Sequence, residues 1–393
     1  MLGTNLLRRA LGTSALALFA LAQPASAADF CVADATALQA ALNAASANVQ
    51  ADTVKIVQGT YTGPFVYTSS ERYALSVLGG YAAGCATRTL AAANTTLQGD
   101  GADRVLGLTA TNGGAFTVEG VTISGGVRTG DGGGLYASTA SNITLRDNVI
   151  QDNTATGKGG GAYIASDGTM YVERNTFSTN GGAGATDEGG GIYIFTDHGS
   201  LAMTDNTFTG NTASVYGGGA RLVTALGSLT LADNQFQDNQ VLNTGWGSTS
   251  YGGGAAVGIT NTGSLIMARN GFTNNISRSG YWAKAYGGGL HVSVPAAGNL
   301  TLTGNQFADN RTNREAAGGG YGSESGYGGG ASLMATTGTV TLVENTFLSN
   351  WAELDTYNAY YYGYGGGLWL QTTSGAANLT ANEFTLNRGR FQV

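Results

Sequence analysis

Apolar and polar side chains alternate with a period of two along much of this chain, most regularly from about residue 115 onward. The alternation is clearest directly after a run of three Gly, as at Leu135 and Ala137 or at Ile192 and Ile194. A period of two is that of a β-strand, because successive side chains of a strand point to opposite faces. We therefore predict a short strand after each Gly triplet. The triplets begin at Gly132, Gly159, Gly189, Gly217, Gly252, Gly287, Gly328 and Gly365.

A second landmark, Asn-x-Phe-x-x-Asn, divides each repeat into a fixed half and a variable half. From the first Gly of a triplet to the next Asn that opens this motif there are 16 to 18 residues, whereas from that Asn to the following triplet there are 11 to 23. Three short strands fit into one repeat, with no helical period between them. We therefore predict a solenoid whose turns stack in parallel. The motif begins at Asn148 (with Ile150 in the Phe place), Asn175, Asn206, Asn234, Asn270, Asn305, Asn345 and Asn382.

Each landmark has an expected role in such a stack. The Phe side chains, one per turn, are expected to form an internal column, and the Asn amides to hydrogen-bond from turn to turn. Asn tolerates the left-handed backbone of a tight bend, so we expect the bends at the Asn residues themselves. In mid-stack, Phe272→Ala is expected to destabilise the fold more than Asn275→Ala. The column comprises Phe177, Phe208, Phe236, Phe272, Phe307, Phe347 and Phe384.

The N-terminal part carries the one helical pattern of the chain. Residues 34–48 have apolar side chains at helical spacing, and Thr36 is placed to cap the start. We expect residues 28–95 to form a cap and a first coil. Residues 96–393 are then expected to form an all-β solenoid with eight triplet repeats, about ten coils in all.

The first 27 residues have the form of a secretory signal peptide. Arg8 and Arg9 precede an apolar run that is too short to span a membrane, and small residues end at Ala27. We expect export to the extracellular space, the cell surface or the periplasm. Cys31 and Cys85 are the only cysteines, and in an oxidising compartment we expect them to form one disulfide. The alternative is two free buried thiols.

Composition excludes several other classes of protein. The 393 residues include 65 Gly and only 3 Pro, without a three-residue Gly period, so the chain is not collagen. With 42% hydrophobic residues it is too apolar for a disordered chain. A net charge of -7 and only three Lys argue against a nucleic-acid partner. No apolar stretch in the mature chain is long enough for a transmembrane span.

The repeats resemble those of a known family. The alternation of Gly-Gly-x-apolar with Phe-x-x-Asn, as in FSTN, FTGN, FQDN and FADN, looks like the repeats of the polymorphic outer-membrane proteins. More broadly it resembles right-handed parallel β-helix proteins, including the pectin-lyase-like superfamily. The resemblance implies a ligand cleft along the triplet strands, under the variable loops. Family members that display themselves do so through a C-terminal membrane barrel, and this chain ends six residues after Asn387, so self-transport is not expected.

Aromatic residues concentrate where that cleft is expected. Five Tyr directly precede triplets, and further aromatics lie in the longest loops, so we expect glycan or surface-partner binding there, centred on residues 240–364. The alternative is that like residues stack from coil to coil and the loop aromatics pack on the protein itself. The candidate ligand-binding residues are Trp246, Tyr251, Tyr281, Trp282, Tyr286, Tyr327, Trp351, Tyr360, Tyr361, Tyr362, Tyr364 and Trp369.

Catalysis is the competing hypothesis. Resembling folds include polysaccharide lyases and uronan epimerases, which use acidic clusters, calcium in some cases, and a basic residue. Lys158, Glu188 and Arg221 are weak catalytic candidates, and with Asp131 and Asp187 they would cluster across adjacent coils. The same row equally forms an ordinary ladder of alternating charge. The Asn-Thr-Asp, paired Asp, Gly-His-Gly and Arg-Ile-Lys motifs of polygalacturonases are absent from the sequence, so that type of hydrolase is not expected.

The sequence thus favours an exported binding or adhesion module with no required cofactor, calcium remaining possible. The first alternative is a uronan lyase or epimerase acting along the triplet strand. An ice-binding surface is a third, poorly supported hypothesis, because the outward column of the second strand holds too few Thr. That column is expected to comprise Thr144, Tyr171, Ala202, Thr230, Ile266, Thr301, Thr341 and Thr380.

Overall fold

The computed structural model describes residues 27–181, 188–243, 245, 247–280, 283–314, 325–352 and 362–389. Its strands form a right-handed parallel β-helix, and every strand pair is parallel, which confirms the predicted fold class. Each complete coil, from Asp52–Val57 onward, contributes one strand to each of three long sheets. Within the described part, no helix is long and apolar enough to cross a membrane.

The sheet that follows the Gly triplets, here called the triplet sheet, has ten strands in sequence order. They are Phe65–Ser69, Leu106–Ala110, Leu135–Thr139, Ala162–Ser166, Ile192–Thr196, Ala220–Thr224, Ala255–Ile259, Leu290–Val294, Ala331–Ala335 and Leu368–Thr372.

The second sheet, called the middle sheet, has twelve strands. They are Ala28–Val32, Asp52–Val57, Leu75–Tyr81, Phe116–Glu119, Ile143–Arg146, Met170–Glu173, Leu201–Thr204, Ser228–Ala232, Ser264–Ala268, Leu300–Thr303, Val340–Val343 and Ala377–Thr380. The last residue of the outward column predicted for this sheet was wrong. Thr341 pairs with Asn378, so Asn378 rather than Thr380 continues the column. Thr380 instead pairs with Val343, two residues further along the strand.

The third sheet, called the Phe sheet, has eleven strands. They are Gly59–Thr62, Thr95–Gln98, Thr122–Ser124, Val149–Gln151, Thr176–Ser178, Thr207–Thr209, Gln235–Gln237, Gly271–Thr273, Gln306–Ala308, Thr346–Leu348 and Glu383–Thr385.

Short strands in the variable half of the repeat form three further sheets of two, six and four strands. They are Val127–Arg128 and Thr154–Ala155; then Thr212–Ala213, Gln240–Leu242, Ile276–Ser279, Arg311–Arg314, Trp351–Ala352 and Arg388–Gly389; then Ser250–Tyr251, Lys284–Tyr286, Ser325–Tyr327 and Tyr362–Tyr364.

The core is the inside of the coil, filled by the inward positions of the three long sheets. The Phe column is internal as predicted, with successive ring centres 4.7 to 5.0 Å apart and nearly parallel rings. Phe177 to Phe347 are almost completely buried. Phe384, in the last coil described, is 48% exposed because no further described coil covers it.

Two columns of buried Asn amides run parallel to the Phe column. In the first, Asn175 Nδ2 donates to Asn206 Oδ1, and in the second Asn180 Nδ2 donates to Asn211 Oδ1. These bonds confirm the expected amide ladders. The expected position of the bends was wrong, because the residue before each Asn, such as Asp205, adopts the left-handed conformation. The Asn side chain points inward to the ladder, so its solvent-facing neighbour makes the turn.

The second and third Gly of a triplet are required by the close packing of successive coils. A Cβ on Gly133 would lie 2.4 Å from the carbonyl oxygen of Thr154 and 2.5 Å from that of Gly160. The first Gly, as at Gly132 with φ of +68°, adopts a backbone conformation that other residues rarely take. The triplets therefore let the chain turn tightly into the triplet sheet.

The N-terminal cap is the α-helix Ala35–Ala45, and a 3-10 turn spans Ala92–Asn94. The expected capping residue was wrong: Asp34 caps the helix by accepting a hydrogen bond from the Ala37 N–H, because Thr36 already lies inside the first turn. The helix buries Leu38 and Leu42 against the first coils.

The predicted disulfide between Cys31 and Cys85 is formed. The three long sheets begin within residues 28–95 and continue past residue 95 without interruption. The division of the chain at that point therefore stays a sequence-based expectation. The proposed signal peptide, residues 1–27, lies outside the described residues except for Ala27.

Candidate ligand-binding face

The outward side of the triplet sheet carries a stack of Tyr side chains in its N-terminal half. Tyr136, Tyr163 and Tyr193 occupy the second position of three adjacent strands. Their ring centres are 5.1 and 5.3 Å apart, and the rings are nearly parallel. The Arg104 guanidinium lies 4.5 Å from the Tyr136 ring centre and covers the start of the stack. Burial lowers the pKa of Arg104.

A second stack continues over the C-terminal half, but from a different position in the repeat. The residues before the triplets pair in the predicted column, with adjacent ring centres 4.6 to 5.4 Å apart. This column comprises Tyr216, Tyr251, Tyr286, Tyr327 and Tyr364.

The second stack covers the same outward face as the first. The Tyr251 ring centre lies 4.9 Å from that of His291, and the Tyr327 ring centre lies 5.0 Å from that of Trp369. His291 and Trp369 hold the second position of their triplet strands, the position that Tyr193 holds earlier. The two stacks therefore form one surface, the aromatic stripe, made up of Tyr136, Tyr163, Tyr193, Tyr216, Tyr251, Tyr286, Tyr327, Tyr364 and Trp369.

This arrangement explains which outward residues are hidden. Ala256 and Ser332 are fully buried and His291 is 3% exposed, although all three point away from the core. Their outward phase in the strand alone would expose them, but the tyrosines that precede the triplets lie above them. His291 Nδ1 is 3.3 Å from Ser332 Oγ. Burial lowers the pKa of His291 to about 3, so its imidazole is neutral at physiological pH.

Stacking decides which parts of the tyrosines a ligand can reach. Within each stack the ring faces are in contact with neighbouring rings, so the partly exposed tyrosines present their ring edges and hydroxyl groups outward. Tyr193 is only 4% exposed and is covered by its neighbours. Burial raises the pKa of Tyr163 and of Tyr286 to about 12. These phenols therefore keep their protons and can donate hydrogen bonds as well as accept them.

Charged residues lie where the first stack gives way to the second. Lys158 Nζ is 4.0 Å from Glu188 Oε1, and Arg221 Nε is 3.4 Å from Glu188 Oε2. Lys158 Nζ is also 3.3 Å from the Tyr193 hydroxyl. The structure thus brings together the three residues that the sequence singled out. Asp131 joins them by accepting a hydrogen bond from the Lys158 backbone N–H, whereas Asp187 lies outside the described residues.

The acidic and basic side chains of this charged group neutralise one another, as in a ladder of alternating charge. Burial alone would lower the pKa of Lys158, but the neighbouring Tyr193 and Glu188 raise it above its ordinary value. A lysine held protonated in this way does not accept a proton as a general base. In the described part of the chain no group of three or more His, Cys, Asp or Glu side chains is placed to hold a metal ion. Glu188 is paired with both Lys158 and Arg221. Calcium binding stays a sequence-based expectation.

The predicted loop aromatics are placed only in part. Trp246, Tyr281, Trp282, Tyr360 and Tyr361 lie outside the described residues, as does the side chain of Tyr362. The ring of Trp351 lies between two guanidinium groups, 5.0 Å from Arg311 and 5.1 Å from Arg388. It therefore packs within the short strands of the variable half.

Two features were missed at the level of the sequence. Arg104 belongs to no repeat motif, so its place at the end of the stripe became visible only in three dimensions. Phe195 stands at the fourth position of its triplet strand, two residues after Tyr193, and is 40% exposed. The sequence does indicate that Phe195 points outward, because it follows the inward-pointing Ile194 in an alternating strand.

Comparisons with known proteins agree with this fold. Residues 92–252 match the family described as right handed beta helix region. No curated protein matches the chain. Among solved structures the chain is similar to pectate lyase Pel9A, with 13% identity, coverage of 80% of this chain and 72% of that chain, and a TM-score of 0.41.

A further similar structure is an alginate lyase from Paenibacillus sp. str. FPU-7. It shares 16% identity, with coverage of 74% of this chain and 96% of that chain, and a TM-score of 0.27. Likenesses this distant carry no argument about activity, and the narrower resemblance to the polymorphic outer-membrane proteins stays a prediction. With its parallel sheets and repeated coils, the chain is a right-handed parallel β-helix repeat protein.

Proposed function

We propose that this protein is an exported binding or adhesion module that holds a glycan along the aromatic stripe. One observation carries the proposal: aromatic residues cover the same face of the β-helix in both halves, although they come from two different positions of the repeat. Tyr193 is an outward strand residue, whereas Tyr216 in the next coil precedes the triplet. If the tyrosines served only to stack on one another, a single column at one fixed position of the repeat would be enough. A change of position that preserves the surface favours a role for the surface itself.

The geometry of the stripe suits a chain of sugars. Successive coils repeat about every 4.8 Å, so within each stack the tyrosine rings follow one another at about this spacing along the helix axis. Tyr presents an apolar ring edge and a polar tip at low cost in conformational entropy. Sugar hydroxyls can donate to these phenols and accept from them. The cations Arg104, Lys158 and Arg221 lie within the same row and add further donors.

Export is part of the proposal. It is supported by the signal-like first 27 residues and by the disulfide between Cys31 and Cys85, since disulfides persist in oxidising compartments. Cell-surface display is the setting in which a rigid rod with a long binding face is useful as an adhesin. The location is tested by fractionating cells that express the full chain: processing at Ala27 and recovery outside the cytoplasm are expected, and unprocessed protein in the cytoplasm would contradict it.

The binding proposal is tested by screening residues 28–393 on an array of plant, algal, fungal and bacterial glycans. We expect a restricted set of linear glycans to bind. The matched variant is Tyr251→Phe/Tyr286→Phe/Tyr327→Phe, which removes three hydroxyls and keeps the stacked rings. Tyr171→Phe, on the outward side of the middle sheet and 40% exposed, is the control. Absence of any bound glycan, or identical binding by the triple variant, would contradict the proposal.

The alternative function is a uronan lyase or epimerase. The observation in its favour is the meeting of Lys158, Glu188 and Arg221 on adjacent coils of the proposed face. It predicts formation of unsaturated product, or epimerisation, from polygalacturonate or alginate with or without added calcium. Arg221→Ala should then abolish turnover. No product from wild-type protein at high enzyme concentration would leave the binding function as the better account.

A further inference from the structure

A shallow groove of about 370 Å³ crosses the outward face of the triplet sheet beside the first Tyr stack. Its floor is the fourth strand position of four adjacent coils, where Thr109, Ser138, Ala165 and Phe195 pair in sequence order. Three small side chains thus precede one large ring. The volume lies within the roughly 300 to 1,000 Å³ typical of small-molecule sites.

Phe195 differs from the other aromatics of this face. The tyrosines of the stripe have rings in contact with other rings, whereas Phe195 has no ring contact with any described residue. It is 40% exposed, and the small side chain of Ala165 adjoins it on the preceding coil. An exposed ring beside a groove is a platform on which a flat ligand can stack.

Polar groups surround this platform. The hydroxyl groups of Thr109 and Ser138 form no hydrogen bond with any other side chain or backbone group that the structure describes, so they can bond to a ligand. The Asp167 carboxylate lines the groove, and its Oδ1 accepts a 3.3 Å hydrogen bond from the Asp197 backbone N–H. An ionised carboxylate has further acceptor sites. Asp167 is the only ionisable residue among those that line the groove.

The charge of the groove decides what class of sugar it accepts. A carboxylate with no cation beside it in the lining repels the carboxylate of a uronic acid. It accepts hydrogen bonds from the hydroxyl groups of an uncharged sugar, and such bonds to an ionised acceptor are the stronger kind. Within the groove itself, an acidic sugar unit is therefore disfavoured relative to an uncharged one.

We propose that this groove is a subsite for one uncharged sugar unit, which stacks on Phe195 and donates hydroxyl hydrogen bonds to Asp167. The inference rests on the proposed glycan-binding function and deepens it, because it names neutral rather than uronate-containing glycans as the ligand class. Thr109 and Ser138 supply the remaining hydrogen bonds on the groove floor. The bound glycan then runs from the groove onto the adjoining Tyr stack.

The test is calorimetric titration of residues 28–393 with neutral hexasaccharides of glucose, mannose, xylose and N-acetylglucosamine, and with hexagalacturonate. We expect at least one neutral hexasaccharide to bind better than hexagalacturonate. Phe195→Ser should weaken that binding by roughly tenfold or more, and Asp167→Asn by several-fold. The control is Ile266→Ser, which removes an exposed apolar side chain from the middle sheet and should bind as wild type does. Asp167→Lys should narrow or reverse the preference against hexagalacturonate.

The outcomes separate this inference from the function on which it rests. If wild-type protein binds glycans but Phe195→Ser and Asp167→Asn bind equally well, the subsite is refuted and the stripe remains as the binding surface. If wild-type protein prefers hexagalacturonate, the charge argument is refuted. If no glycan binds at all, the proposed function and the subsite both fail. Unchanged thermal midpoints for the variants confirm that each result reports on binding.

Discussion

The amide ladder makes Asn275→Ala an informative test of what holds the coils together. The Asn275 side chain is fully buried and makes four hydrogen bonds. Its Nδ2 donates to the Phe236 carbonyl at 2.8 Å and to Asn310 Oδ1 at 2.9 Å. Its Oδ1 accepts from the backbone N–H of Asn239 at 3.0 Å and from Asn239 Nδ2 at 3.1 Å. Truncation to Ala removes all four bonds at once.

The magnitude follows from the donors that lose their acceptor. The backbone N–H of Asn239 and one of its side-chain N–H groups would be left unpaired in the interior. Each such group costs about 1 to 3 kcal/mol, so the two together cost about 2 to 6 kcal/mol. Phe272→Ala in the same coil leaves a cavity that costs about 3 to 5 kcal/mol. The structure thus raises the expected effect of Asn275→Ala to that of Phe272→Ala, above the sequence-based expectation.

The assay is urea unfolding of residues 28–393, followed by far-ultraviolet circular dichroism. Thr273→Ala is the matched control, because this exposed residue belongs to the same coil and faces solvent. We expect both buried substitutions to lower the unfolding midpoint substantially and the control to leave it unchanged. A wild-type midpoint for Asn275→Ala, with Phe272→Ala strongly destabilised, would show that the ladder bonds are dispensable and refute the reasoning.

Three further predictions concern stability. The pKa of His291, lowered to about 3 by burial, lies below its unfolded value of about 6.5. Below pH 6.5 the unfolded chain therefore binds more protons than the folded one, and the free energy of unfolding should fall towards pH 3 by up to about 1.4 kcal/mol per pH unit. His291→Gln should flatten this pH dependence. Identical pH profiles for the variant and the wild type would contradict the prediction. Replacing Cys31 and Cys85 by Ser should cost roughly 3 to 4 kcal/mol in cap stability, measured by hydrogen exchange. Phe384→Ala should destabilise much less than Phe272→Ala, because the Phe384 ring is already 48% exposed; equal midpoint shifts would show that further chain covers it.

The fold was predictable from the sequence because each landmark has few structural solutions. A period-two strand after Gly133, a buried Phe such as Phe208 and an Asn at constant spacing together require stacked parallel coils. Finer assignments failed where two neighbouring residues compete for one role. Asp205 rather than Asn206 takes the left-handed turn, because the Asn side chain is committed to the interior.

The candidate site was predictable only in part. Pairing of the tyrosines before the triplets followed from the repeat. Their position above Ala256 and Ser332 could not be predicted in this way. The repeat shows whether a residue points inward or outward, but not where a long side chain extends. The groove beside Phe195 exists because the side chains of Ser138 and Ala165 are small. Small residues at these positions form no recognisable motif in the sequence.

The most direct test of the central claim is a comparison of glycan affinity and stability in the Tyr251→Phe/Tyr286→Phe/Tyr327→Phe variant. Titration with the best-binding glycan and thermal unfolding would be measured on the same samples, beside Tyr171→Phe as control. If the stripe is a binding surface, affinity falls by roughly tenfold or more while the thermal midpoint stays within a few degrees of wild type. Wild-type affinity in the triple variant would show that these tyrosine hydroxyls take no part in binding and would contradict the account.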